Sequence, residues 1–236
     1  MENHFELTDR FIVNESGVKL FQIKCTRDIK WAKVGDLGGW IESERSLSDN
    51  AWVSDNARVY GNARVYGNAR VYGNAWVSGD ACVFGSARVY GDVQVCDDAQ
   101  VYGCARVYGD ARVSDNAWVY GDARVYGDAW VYGDAQVCDE AQVYGLARVY
   151  GRAVLGGCAA VENDAQHCGF DCFGSANRHT HAYLTKSGDV EVICGCFRGS
   201  LDEFVQQVHK THAGTVYERQ YMTMFGMIKL KFGLMP

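Results

Sequence analysis

The sequence predicts a mainly β protein organised around a solenoid, and three observations lead to that prediction. A six-residue repeat runs from Arg45 to Asp164, which is 20 hexads without insertion or deletion. Valine takes the third place of nearly every hexad, between two larger residues, as in Ala-Arg-Val-Tyr-Gly-Asn at residues 57–62. Most hexads end in Gly-Asn, Gly-Asp or a similar pair. A fixed short period of this kind is the signature of a repeat architecture.

Each hexad is expected to form one short strand and one corner. Neighbouring residues of a strand point to opposite faces, so Val59 is predicted to point inward while Arg58 and Tyr60 point outward. Glycine, Asn and Asp tolerate the left-handed backbone that a corner needs. The alanine after each corner adds to a narrow interior. Strands this short become stable when they pair with equivalent strands above and below, as in solenoids.

Residues 1–44 precede the repeat and are predicted to form a β cap. Two apolar runs, at residues 11–13 and 18–23, flank Asn-Glu-Ser-Gly, which is the pattern of a β-hairpin. A solenoid leaves an apolar end and an unpaired strand edge that need cover. Trp31 and Trp40 are therefore expected to act as lids.

The hexads resemble those of left-handed parallel β-helix (hexapeptide-repeat) proteins, in which a small residue lies four places after an aliphatic one. The resemblance implies a left-handed prism with three hexads per turn, and so between six and seven turns for 20 hexads. The segment Gly-Asp-Leu-Gly-Gly-Trp at residues 35–40 resembles the leader of uncharacterised bacterial and prophage-encoded members. Residues 195–204 resemble the tail of the same proteins. These likenesses imply a bacterial or phage context, and no activity.

Length, charge and composition argue against several functional classes. The net charge of this 236-residue chain is −6, which disfavours general nucleic-acid binding because such binding depends on neutralising phosphates. No run of about 18 apolar residues occurs, so no membrane span is expected. The first residues lack the pattern of a signal peptide. The ten cysteines are therefore expected to be free thiols in the cytoplasm of a bacterial host.

Residues 165–236 are predicted to form a small α+β tail that caps the prism, mediates oligomerisation, or does both. Residues 165–185 are expected to be polar and rich in turns, and a strand is expected at residues 189–194. Ser200 and Glu203 form a capping box that opens a helix, and a second helix is expected over residues 216–230. Apolar residues at helical spacing predict a face for homo-oligomerisation. That face consists of Phe204, Val208, Tyr217, Tyr221, Met224 and Ile228.

If one turn contains 18 residues, the outward residues stack into columns on three faces. One face carries a column of arginines beside a column of tyrosines. A binding interpretation is that this wall contacts an anionic or protein partner, because Tyr and Arg are enriched in binding hot spots. A structural interpretation is a tyrosine ladder with Arg packed along it, offset by the corner acids Asp92, Asp110 and Asp128. Exposed Trp118 and Trp130 on the other faces favour an interface. The candidate binding residues are Arg70, Arg88, Arg106, Arg124, Tyr72, Tyr90, Tyr108, Tyr126, Trp118 and Trp130.

Catalytic and metal chemistry have little support in the sequence. Many hexapeptide-repeat proteins are acyltransferases with a catalytic His, but residues 45–164 contain no His and no loop insertion. A general base needs a group that titrates near neutral pH. Cys168, Cys172, Cys194 and Cys196 are weak metal candidates near the tail histidines. We therefore predict no catalytic residue, no metal and no cofactor.

The sequence thus favours a non-catalytic binding or scaffold protein, encoded by a phage or prophage. We expect it to bind a host protein, for example as an inhibitor of a defence component. One alternative is an oligomeric sponge for an anionic, nucleotide-like small molecule. Another alternative is a hexapeptide-repeat acyltransferase.

Overall fold

The computed structural model describes residues 3–234 and contains an N-terminal cap, a long solenoid and a C-terminal α+β tail. The cap consists of β1 (Phe5–Val13), β2 (Lys19–Cys25) and β3 (Leu37–Ile41). Strands β1 and β2 pair antiparallel around the turn at residues 14–17, so the predicted hairpin is confirmed. A short 3-10 helix, Glu44–Ser46, leads into the repeat.

The solenoid is built from short strands, one for each hexad. In chain order they are β4 (Trp52–Val53), β5 (Arg58–Val59), β6 (Arg64–Val65), β7 (Arg70–Gly73), β8 (Trp76–Val77), β9 (Cys82–Val83), β10 (Arg88–Gly91), β11 (Gln94–Val95), β12 (Gln100–Val101), β13 (Arg106–Gly109), β14 (Arg112–Val113), β15 (Trp118–Val119), β16 (Arg124–Val125), β17 (Trp130–Val131), β18 (Gln136–Val137), β19 (Gln142–Val143), β20 (Arg148–Val149), β21 (Val154–Leu155) and β22 (Ala160–Val161).

These strands form three parallel sheets in which each strand pairs with the strand 18 residues away, as Arg88 pairs with Arg70 and Arg106. The sheet orders are β4-β7-β10-β13-β16-β19-β22, β6-β9-β12-β15-β18-β21 and β3-β5-β8-β11-β14-β17-β20. The third sheet continues through β2 to β1, so the hairpin covers the first coil by extending an existing sheet. The coil makes about seven turns, and the outward columns lie in register as predicted.

The interior of the solenoid is a column of valines and alanines. Val59, Val65, Val107 and their equivalents have no exposed surface, and neither do nearly all the alanines that follow the corners. Burying one valine side chain is worth about 1.5–3 kcal/mol relative to leaving it exposed. The predicted inward and outward assignment is confirmed along the whole repeat.

The corners use the left-handed backbone that the Gly, Asn and Asp pattern predicts. Gly91 has φ +91°, and a Cβ atom there would lie 2.8 Å from the carbonyl oxygen of Gly109 in the next coil. Asp115 takes the equivalent place at another corner with φ +55°. Its carboxylate accepts a hydrogen bond from the Gly133 N–H at 2.9 Å, so an Asp at a corner stabilises the coil that follows.

The prediction that Trp31 and Trp40 act as lids is wrong. Trp40 faces outward on β3, in register with Arg58, while its neighbour Ile41 is fully buried. The first coil is instead closed by Phe5, Ile23 and Ile41, which join the core of the solenoid. Alternation along β3 explains the difference, because only one of two neighbouring residues can point inward.

The tail consists of a four-stranded antiparallel sheet and two helices. Its elements are β23 (His167–Phe173), β24 (Arg178–Leu184), β25 (Val190–Cys194), β26 (Phe197–Ser200), α1 (Leu201–His212) and α2 (Val216–Lys231), preceded by a 3-10 helix at Asp164–Gln166. The expectation that residues 165–185 form turns is wrong, because they contain β23 and β24. The capping box of Ser200 and Glu203 is confirmed.

The tail sheet closes the second end of the solenoid. Tyr183, on one face of β24, is fully buried and joins the solenoid core. Ala182 and Val192, on the opposite face of the sheet, pack against α1 and α2 in a second core. The tail is therefore a layered cap, with the sheet between the last coil and the helices. Neither helix is long and apolar enough to cross a bilayer among the residues described.

Candidate functional site: the Arg–Tyr face

The sheet β4-β7-β10-β13-β16-β19-β22 carries eight of the ten candidate binding residues on its outer surface. Arginine opens each of four neighbouring strands and tyrosine follows two places later, so both side chains point outward. We call this surface the Arg–Tyr face. It consists of Arg70, Arg88, Arg106, Arg124, Tyr72, Tyr90, Tyr108 and Tyr126.

The tyrosines form a continuous stack. Consecutive rings from Tyr72 to Tyr144 lie nearly parallel, with centroids 4.8–5.1 Å apart and interplanar angles of 2–8°. Burial raises the pKa of Tyr72, Tyr108 and Tyr126, and neighbouring tyrosines add to that rise. The phenols are therefore neutral at physiological pH and present a rigid aromatic strip.

The arginines of the face have no acidic partner. Among residues 3–234, no carboxylate lies within ion-pair distance of any of the four guanidinium groups. Arg70 instead lies over the ring of Tyr72 at 4.7 Å, and its Nε atom is buried without a hydrogen-bond partner. Arg106 and Arg124 are exposed. The face thus presents uncompensated positive charge beside flat aromatic rings.

The expected compensation by the corner acids is not observed as ion pairing. Asp92 accepts a hydrogen bond from the Asn74 side chain at 2.9 Å, along its own corner column. The corner residues turn away from the sheet because they lie in the left-handed bend that follows each strand. The structural interpretation of the face is therefore correct for the tyrosine ladder and wrong for the acids.

Trp31 contributes to the face, which the sequence did not predict. Its ring lies 4.7 Å from the Arg70 guanidinium and 5.8 Å from that of Arg88, and its Nε1 donates a hydrogen bond to the Asn68 carbonyl at 3.3 Å. The cap thus covers the N-terminal end of the Arg–Tyr face. The part left open is centred on Arg106 and Arg124.

Comparison with known protein families supports the fold. A family model described as the YdcK β-solenoid repeat matches residues 51–65, 63–79, 105–121, 117–133 and 123–139. All five matches fall on coils of the structure. The chain is a β-solenoid repeat protein. No curated protein matches it.

The remaining two candidates of this β-solenoid repeat protein lie on different sheets. Trp130, on β17, lies between the guanidinium groups of Arg112 and Arg148 at 5.2 and 5.9 Å. Trp118, on β15, lies between Gln100 and Gln136. The structure therefore does not bring Trp118 and Trp130 together with the Arg–Tyr face, because the 18-residue register assigns each hexad to a fixed sheet.

Most of the predicted oligomerisation face is buried within the chain. Phe204, Val208, Tyr221, Met224 and Ile228 are each at most 6% exposed and form the second core with the tail sheet. Only Tyr217 is exposed. The apolar stripes of α1 and α2 pack on the tail sheet because β23 and β24 supply a surface that the sequence interpretation lacked.

The four candidate cysteines do not form a cluster. Cys194 is buried and its sulfur accepts a hydrogen bond from Thr180 Oγ1 at 3.1 Å, while Cys172 and Cys196 are exposed. Burial raises the pKa of the Cys168 thiol to about 11. In the described part of the chain, no three His, Cys, Asp or Glu side chains are arranged to hold a metal ion.

A histidine cluster lies where the tail sheet meets the last coils. His179 Nδ1 is 2.9 Å from Asp171 Oδ1, His179 Nε2 is 3.3 Å from His181 Nδ1, and the ring centroids of His167 and His181 are 5.2 Å apart. Neither nitrogen of His167 nor Nε2 of His181 has a hydrogen-bond partner. Burial lowers the pKa of His167 and, more strongly, that of His181. The sequence interpretation missed this cluster because it assigned these residues to turns.

Proposed function

We propose that this protein is a non-catalytic binding protein that recognises an acidic protein through the Arg–Tyr face. The observation that carries the proposal is a row of four guanidinium groups without acidic partners, set beside a rigid stack of tyrosines. Rigid aromatic rings and arginines are the side chains that dominate binding hot spots. An acidic partner would supply the carboxylates that the fold does not supply.

The proposal includes a finer description of the fold and its context. The solenoid is a left-handed β-helix with three hexads per turn, which the 18-residue register supports. The likeness of residues 35–40 and 195–204 to prophage-encoded proteins favours a phage origin. In that context the partner is a host protein in the bacterial cytoplasm, and the binding protein acts as its inhibitor. Homo-oligomerisation, if it occurs, uses surfaces outside the buried faces of α1 and α2.

Charge reversal on the open part of the face tests the proposal. The variant Arg106→Glu/Arg124→Glu changes two exposed side chains that have no ion pair, so the fold should be retained. The matched control is Arg112→Glu/Arg148→Glu, which makes the same charge change on exposed positions of another sheet. Each tagged protein is used to capture partners from a bacterial lysate, and the captured proteins are quantified by mass spectrometry at two salt concentrations.

We expect a stoichiometric acidic partner that binds the wild type and the control, and that is lost with Arg106→Glu/Arg124→Glu. Its capture should weaken as salt rises, because exposed charges are screened. Equal loss with both double variants would show that general charge, not this face, controls binding. A partner that both variants retain would exclude the Arg–Tyr face.

A nucleotide-like small molecule is a second candidate ligand, because unpaired guanidinium groups beside aromatic rings can hold both a phosphate and a base. A ligand that binds only the folded state raises the melting temperature. A thermal-shift screen with nucleotides should then give an increase that Arg106→Glu/Arg124→Glu abolishes. No shift with any nucleotide would remove this candidate and leave the protein partner.

A further inference from the structure

A groove of about 280 Å³ opens in the tail, between the sheet and helix α1. Its wall is apolar and includes Phe197, Phe204, Val208 and Tyr221. The rings of Phe197 and Phe204 are 5.5 Å apart, and those of Phe204 and Tyr221 are 5.7 Å apart. We call this space the tail groove. Its volume is near the lower end of the range for small-molecule sites, which is about 300–1,000 Å³.

Arg178 is the cationic side chain at the rim of the tail groove. It is exposed at the first residue of β24 and has no carboxylate within ion-pair distance in the part of the chain that is described. Its Nη1 atom occupies the room that a side chain on Gly195 would take, since a Cβ there would lie only 2.4 Å from it. The guanidinium is therefore positioned over the turn between β25 and β26, next to the groove.

The positive charge of Arg178 also reaches the interior of the groove. Burial raises the pKa of Tyr221 to about 12, and the nearby Arg178 guanidinium partly opposes that rise. The Tyr221 ring stacks on His212 with centroids 5.5 Å apart, which closes the end of the groove. One cationic fork thus faces a space whose other surfaces are largely aromatic and aliphatic.

We propose that the tail groove binds a small apolar carboxylate. The hydrocarbon part would lie against Phe204 and Val208, and the carboxylate would accept two parallel hydrogen bonds from Arg178. A planar guanidinium matches a planar carboxylate in this bidentate geometry. A single unpaired cation beside apolar walls favours a ligand with one negative charge. The groove is built from tail residues alone, so this proposal does not depend on the Arg–Tyr face.

Calorimetric titration of the full chain with two probes of equal chain length tests the proposal. The probes are sodium octanoate and octan-1-ol, which differ in the carboxylate. We expect Arg178→Gln to weaken octanoate binding by about 10-fold or more, the factor expected for loss of a charge-assisted hydrogen bond. Octanol binding should stay within about twofold, because it depends on apolar burial. The control Arg219→Gln removes an exposed arginine of α2 outside the groove and should change neither.

A second variant locates the ligand. Ala176→Trp adds a large side chain at the exposed rim of the groove and should abolish binding of both probes, while the far-ultraviolet circular dichroism stays unchanged. Methyl NMR signals of Val208 should shift on addition of octanoate to the wild type. The proposal is overturned if octanoate gives no saturable binding, if Arg178→Gln leaves its affinity unchanged, or if Arg219→Gln weakens it equally.

Discussion

The solenoid and the tail bury their apolar residues in different ways. In the solenoid each buried residue contacts its equivalents 18 residues away, and the same Val-and-Ala layer is repeated along the axis. In the tail, Val192, Phe204 and Met224 come from a strand and two helices and meet once. The solenoid therefore distributes its stability over many similar layers, whereas the tail depends on a few unique contacts.

The comparison is tested most strongly by Met224→Ala. Met224 is fully buried between the helices and the tail sheet, and truncating such a side chain costs about 2–5 kcal/mol. We expect the tail to become susceptible to limited proteolysis while the solenoid stays protected. Met227→Ala is the matched control, because Met227 is 40% exposed and its truncation should cost within about 0.5 kcal/mol. Simultaneous loss of both regions in Met224→Ala would contradict the distinction.

A corner substitution tests the solenoid with a somewhat smaller effect. Gly91→Ala adds a Cβ in the left-handed region that would contact the Gly109 backbone, and we expect a cost of about 2–4 kcal/mol from strain and overpacking. Gly151→Ala carries the same kind of strain at φ +64° but has no atom within 4 Å of the added Cβ. Its cost should be about 1–2 kcal/mol. Urea denaturation of both variants measures the difference, and equal costs would show that contact between coils is not limiting.

Acidification should weaken the tail through its histidine cluster. His167 and His181 have lowered pKa values, so below the unfolded-state value of about 6.5 the unfolded chain binds more protons than the folded chain. Stability is therefore fully present above that pH and is lost as the pH falls, by at most about 1.4 kcal/mol per pH unit for each group. The neighbouring charges are Asp164, which favours the protonated form of His167, and Lys231, which opposes it.

Hydrogen exchange of tail amides between pH 7 and pH 5 measures this effect, after correction for the intrinsic rates. The variant His167→Phe/His181→Phe should flatten the pH dependence in the tail and leave solenoid amides unaffected. A pH dependence that persists unchanged in this variant would assign it to other groups, including the Asp171–His179 pair.

The smallest expected effect on stability is that of Arg106→Gln/Arg124→Gln. Both side chains are exposed and have no ion pair, so thermal denaturation should show a change within about 0.5 kcal/mol per residue. A larger loss would mean that the arginines support the tyrosine ladder. A small loss combined with loss of partner capture would separate the binding role of the face from its structural role.

The repeat made most of the solenoid predictable, because position within a hexad determines which way a side chain points. The buried state of Val107 and the column through Arg88 follow from period alone. Trp31 was not predictable in this way, since it lies outside the repeat and reaches Arg70 through the path of the cap. The tail was harder still, because β23 contains His167, Cys168 and Asp171 and has little of the usual strand composition. Without that strand, the apolar faces of the two helices were assigned to a partner molecule.

The 18-residue register makes length and surface separable properties of this molecule. Duplicating or deleting 18 residues would leave every outward column on its own sheet and change the axial distance between cap and tail by about 4.8 Å. A change of six residues would instead shift all later columns onto a neighbouring sheet and divide the Arg–Tyr face. The chain can therefore serve as a ruler with a fixed increment, whose span can vary through tandem duplication without redesign of its ends.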